Sequence, residues 1–120
     1  MELKIHEETD TAIFHLKGEV GRKDVFRSLQ TAIQSCIDKG ICFIGFNLSE
    51  TLFFDTGIIN LFYFSYKETL SRNGKIGFID PSPFASEIIH AARLNQIGSI
   101  YFSDEEFLLQ DKSKTSVMSC

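Results

Sequence analysis

The stretch Ile41-Cys42-Phe43-Ile44-Gly45-Phe46-Asn47-Leu48 is apolar at nearly every position. A strand with one wet face alternates apolar and polar residues, whereas an unbroken apolar run marks a strand covered on both faces. Such a strand belongs in the middle of a sheet with helices packed against it, which directs the chain to an α/β architecture. A second short run of the same kind, Lys75-Ile76-Gly77-Phe78-Ile79, lies beyond an intervening apolar helix. Two buried strands joined through a helix call for a right-handed parallel crossover.

The rest of the chain reads around this pair. Leu3 and Ile5 alternate with Glu2, Lys4 and His6, as in a half-exposed strand. The polar link Glu8-Thr9-Asp10-Thr11 leads to a second strand over Ala12–Leu16. A tight link between short strands predicts an antiparallel hairpin. Gly18 follows, and Glu19-Val20-Gly21-Arg22 reads as a loop. Asp24 is the expected N-cap of a first helix with apolar positions Val25, Phe26, Leu29, Ala32, Ile33, Cys36 and Ile37, closed by Gly40. The second helix is expected from about Gly57 to Arg72 and stops at Asn73-Gly74. Ser82 and Pro83 open a third, with Phe84, Ile88, Ala91, Ala92 and Leu94 expected inward. Ser99-Ile100-Tyr101-Phe102 reads as the last strand. Ser103 and Glu106 form a capping box for a short terminal helix docked by Phe107, Leu108 and Leu109. The expected fold is therefore one α/β domain over residues 1–110. Its mixed sheet has an antiparallel N-terminal hairpin and then parallel strands, with about four helices. Residues 111–120 form a polar tail expected to fray.

Several function classes are disfavoured. The net charge of the 120 residues is −4, and no basic block provides a nucleic-acid surface. No apolar run is long enough to span a bilayer and the N-terminus lacks a signal peptide's apolar core, so no direct membrane insertion is expected. Cys36 and Cys42 read as core fillers and Cys120 ends the tail as a free thiol. With no disulfide framework, a cytoplasmic setting fits. His6, His15 and His90 lack partners at zinc spacing, so no metal is expected, and no phosphate-binding glycine loop or nucleophile elbow implies a cofactor or catalytic residue. Carboxylates such as Glu50, Asp55 and Asp80 could gather at strand ends, but solvated loop positions account for them. No enzyme is read here.

The candidate site is the turn Asp55-Thr56-Gly57, where the chain passes from the apolar strand region into the second helix. A helix start carries unpaired N–H groups and a partial positive charge; Asp and Thr cap such an end, and Gly lets the backbone turn closely. The helix that follows carries Ile58, Ile59, Leu61, Phe62, Tyr63, Phe64, Tyr66 and Leu70, covering more than one face. A helix apolar nearly all round is either deeply buried or shared with a partner. Tyr63 and Phe64 are the residues expected on the shared side, a surface equally compatible with a homodimer.

With "ICFIGFNLSETLFF" before that turn and "IINLFYFSYKETLSRNGKIGFID" after it, the chain resembles a STAS domain of the anti-sigma factor antagonist kind. The resemblance extends over roughly residues 1–110 and includes "FHLKGEV" and "YFSDEEFLL". It implies a bacterial regulatory module for transcription that works by partner switching, binding an anti-sigma factor that is also a serine kinase. In such antagonists a serine at this turn is phosphorylated. Aligned without a gap, Asp55 matches the family's Asp and Thr56 its first hydroxyl residue, while Gly57 takes the acceptor position. Thr56 becomes the acceptor only if the register slips by one residue. Gly21 and Asn47 also stand where the family carries acidic residues. The Asp-Thr-Gly turn resembles as well the small STAS subunit of lipid-transport ABC systems, which would make the partner a transporter ATPase.

Overall fold

The computed structural model describes residues 2–20 and 23–109 of the chain. The elements run β1 (Glu2–Glu8), β2 (Thr11–Val20), α1 (Lys23–Asp38), β3 (Phe43–Asn47), β4 (Thr51–Phe54), α2 (Thr56–Leu70), β5 (Lys75–Ile79), α3 (Pro83–Ala91), a 3₁₀ turn (Leu94–Gln96), β6 (Gly98–Tyr101) and α4 (Asp104–Leu108). The sheet order is β1-β2-β3-β5-β6, with β4 paired to β2 beside this path. β1 and β2 are antiparallel, and every other pairing is parallel. The expected α/β fold with an N-terminal hairpin is what the chain adopts.

The unbroken apolar strand is central because both its faces are used. Phe14, Phe46 and Phe78 are register partners on β2, β3 and β5, and their rings stack in a row at 5.8 and 6.2 Å. Phe62 of α2 sits on that row, 4.7 Å from Phe46 and 5.3 Å from Phe78. Side chains of α1, α2 and α3 complete this larger core with Leu29, Ile33, Leu61 and Ile89. The opposite face carries a smaller core of Ile13, Phe43, Ile79, Tyr101 and Phe107. Gly45 and Gly77, paired across β3 and β5, make room there. A Cβ at Gly45 would lie 2.9 Å from Phe107, and one at Gly77 would lie 2.5 Å from Tyr101. The two missing side chains are the socket into which α4 inserts Phe107.

Local chemistry sets the ends. The Ser82 side chain accepts from Ala85 N at 3.2 Å with Pro83 in the first helical position. Ser103 accepts from Glu106 N at 3.1 Å. Glu106 returns a bond to Phe102 N at 3.1 Å, so the capping box closes one residue before the cap. Gly40, at φ 92°, follows α1 as the sequence suggests.

Six readings change. Residues 51–54 form β4, an element absent from the sequence reading, and the third helix ends before Leu94, which is buried in the 3₁₀ turn. β2 continues through Gly18 to Val20, passing from β3 to β4 with a register shift at Gly18 and Glu19, so Glu19 and Val20 are strand and not loop. α1 begins at Lys23, which places Asp24 inside its first turn and not at its cap. The inner face of α3 is Ala85 and Ile89; Phe84, Ile88 and Ala92 flank it, and Ala91 is exposed. Cys36 and Cys42 are both buried, as expected of core fillers, but Cys42 is disulfide-bonded, against the expectation of no disulfide, while Cys36 is a free thiol. The expectations for Gly21, Arg22, the 111–120 tail and Cys120 lie outside the described residues.

Candidate functional site

The turn into α2 is positioned from below by aromatic packing. Phe54, the last residue of β4, is buried and meets Phe62 and Phe84 edge-on at 5.6 and 5.4 Å. The chain must then leave the core, and Asp55 makes that exit with an extended backbone, φ −103° and ψ −176°. Its Oδ1 accepts from Ile58 N at 3.3 Å, satisfying one of the orphan donors at the helix start. Thr56, the first helical residue, is exposed.

Gly57 is half-buried beneath α1. A Cβ there would sit 3.2 Å from Cδ2 of Phe26 and 3.2 Å from Oδ1 of Asp55. The neighbours would have to yield by a few tenths of an ångström to admit even a methyl group. The position is thus a crossing point where α1 lies closely over α2, and Thr56 is the hydroxyl that reaches solvent.

Tyr63 and Phe64 are half-buried and pack against the main core. The Tyr63 hydroxyl donates to the Ala92 carbonyl at 3.3 Å, tying α2 to the end of α3. The apolar excess on α2 is therefore mostly absorbed by neighbouring elements. Within the helix, buried Ser65 and Thr69 satisfy their hydroxyls on the carbonyls of Leu61 and Ser65 at 2.8 and 2.9 Å.

Two features of this end of the sheet escape sequence reasoning. Leu52 and Phe53, in β4, are 69% and 48% exposed, immediately before the turn. Phe53 is held against Phe84 at 5.9 Å. The other feature is a polar network at the end of β3. Asn47 Oδ1 accepts from the amide and hydroxyl of Ser49 at 3.1 and 2.8 Å, which leaves Asn47 Nδ2 to donate to Asp104 Oδ1 at 2.8 Å. His15 Nε2 lies 2.7 Å from the other oxygen of Asp104. An aspartate at 47 would set a second carboxylate against Asp104. Through Asp104, His15 joins β2 to α4.

Two surface hollows lie away from the turn, one of about 590 Å³ along α1 by Gln30, Gln34 and Asp38, another of about 530 Å³ between β1, β2 and α4. Among the described residues no three of His, Cys, Asp and Glu gather as metal ligands would, and no helix is long and apolar enough to cross a membrane. A capped helix end bordered by exposed apolar side chains is suited to contact with another macromolecule.

The STAS domain family model matches residues 2–106, and the chain belongs to that family. Among solved structures, the chain is similar to the anti-sigma factor antagonist SpoIIAA in its unphosphorylated form. The TM-score is 0.80 at 18% identity, covering 94% of this chain and 96% of that one. The Bacillus cell fate determinant SpoIIAA in the phosphorylated form gives 0.74 at 19% identity, covering 89% and 96%. A putative anti-sigma factor antagonist from Thermotoga maritima gives 0.78 at 17% identity, covering 88% and 91%. At these identities the likeness is one of fold. Comparison with curated proteins found no match.

Proposed function

We propose that this chain is a non-catalytic regulatory module that binds a partner-switching anti-sigma factor that is also a kinase through Asp55, Thr56 and Gly57. The adjoining surface of α2 at Tyr63 and Phe64 forms the margin of the contact. The observation that carries this reading is Thr56 standing exposed on the first turn of a helix whose inner face is fixed in the core. Family membership and the fold shared with SpoIIAA support it. Charge at such a position acts directly on a docked surface.

Gly57 offers no hydroxyl to accept a phosphate, which favours signalling by binding alone. Incubation with the partner kinase and ATP is expected to leave the chain unmodified. A phosphate on Thr56, absent from Thr56→Ala, would restore a phosphorylation switch in a shifted register.

Co-purification from the native cell tests the partner class. A histidine-kinase-like ATPase is expected, with recovery reduced by Thr56→Glu, whose charge and bulk oppose docking while the exposed position spares the fold. Recovery of an ABC-transporter ATPase instead would support the transporter-subunit reading, and recovery unaffected by Thr56→Glu would contradict the site.

A further inference from the structure

The geometry points to Leu52 and Phe53 as the apolar anchor of the docking surface, received by a protein partner that offers an apolar pocket bordered by Lys and Arg. This rests on the binding reading above and locates its main contact on β4 instead of on α2. Leu52 and Phe53 lie directly before Asp55 and are among the large apolar side chains left exposed, whereas Tyr63 and Phe64 are drawn into the core. Both are set on a rigid base. Thr51 is buried, with its hydroxyl donating to the Leu16 carbonyl at 2.6 Å. The Thr51 carbonyl accepts from Ser82 Oγ at 2.8 Å, and Phe54 is packed on Phe62. A pair of apolar side chains held this way loses little freedom on docking, the condition under which interface residues dominate affinity.

Charge selects the kind of partner. Asp55 stands just after the strand, while Glu50, just before it, is paired with Lys17 at 3.4 Å and adds little net charge. Asp80, exposed with its backbone at φ 45°, begins the turn that brings Ser82 against Leu48 and Thr51. The carboxylates of Asp55 and Asp80 at this end of the sheet, on a chain of net charge −4, favour a basic rim on the partner and oppose a second copy of this acidic chain or an anionic lipid surface.

A photo-crosslinking residue placed singly at Leu52, at Thr56 and at Leu70, which is exposed at the far end of α2, tests the assignment in the native cell. The same protein is expected from positions 52 and 56 and not from 70. With that protein purified, Leu52→Ser and Phe53→Ser should each weaken binding by roughly tenfold or more. Asp80→Asn, which tolerates the left-handed backbone, and added salt should weaken it several-fold. Thermal unfolding of each variant reports whether the fold is kept, and Leu52→Ser is the decisive variant because its side chain is mostly in solvent. A crosslink from 56 without one from 52, or unchanged affinity of Leu52→Ser, overturns the anchor while leaving the binding reading in place. No crosslink from either position sinks both. A crosslinked dimer of this chain, or binding indifferent to salt and to Asp80→Asn, overturns the basic-rimmed partner.

Discussion

Gly45, Gly77 and Phe107 show how much one side-chain choice can determine. Phe107 is fully buried in a space that exists because β3 and β5 both carry glycine at one register position. Phe107→Ala should cost about 3–5 kcal/mol, the range for an aromatic deleted from a packed core. A fall in the denaturant midpoint with unchanged slope would report it; a shift within the noise would mean that α4 contributes nothing to the native state. Asn47 makes a second residue-scale case. Its amide is oriented by Ser49 so that it donates to Asp104. Asn47→Asp should destabilise by about 1–3 kcal/mol, the scale of a lost hydrogen bond to a charged group. Adding Asp104→Asn should recover part of that loss, and a double variant no better than the single one would contradict the pairing.

At the scale of elements, α1 is tied to the sheet edge by a buried thiol. Cys36 Sγ donates to Glu7 Oε1 at 3.2 Å, and Lys39 Nζ lies 3.1 Å from the same oxygen. Burial, reinforced by the neighbouring Glu7 carboxylate, pushes the Cys36 thiol up to about 12 from its ordinary value of 9.0. The thiol and the lysine together hold the Glu7 carboxyl below its ordinary range. The unfolded thiol therefore ionises first as pH rises, and stability should decline from about pH 9 toward pH 12. Cys36→Ala should flatten that decline relative to the parent chain in pH-dependent unfolding. An identical slope in both would show that the thiol does not carry it. β4 illustrates why some elements resist reading from sequence. Its burial runs buried, exposed, exposed, buried, without the alternation that identifies a strand. It exists because β2 is long enough to pair with β3 along its first half and with β4 along its second. The central strands, by contrast, announce themselves, since Phe46 and Phe78 lie in apolar runs that only a doubly covered sheet accommodates.

For the whole molecule, the sheet divides the chain into a thick layer of three helices on one face and the single helix α4 on the other. The Asp55-Thr56-Gly57 turn lies at the junction between β4 and α2. Apart from β4, the order of elements and the Asp55-Thr56-Gly57 turn were legible because both depend on short-range signals: apolar runs, caps and turn residues. The approach of Phe26 to Gly57 and the bond between Asn47 and Asp104, 57 residues apart, depend on packing that no local pattern encodes. The exposure of Leu52 and Phe53 was hidden for the opposite reason, because apolar residues beside a buried strand look like more core.

An amide-exchange footprint of the chain in complex with the partner recovered from its own cell addresses the docking claim most directly. Slowed exchange over residues 52–60, with β1 and α4 unchanged, is the result expected. Protection confined to β1 and α4, with residues 52–60 exchanging as in the free chain, would place the contact on the other face of the sheet and contradict the account.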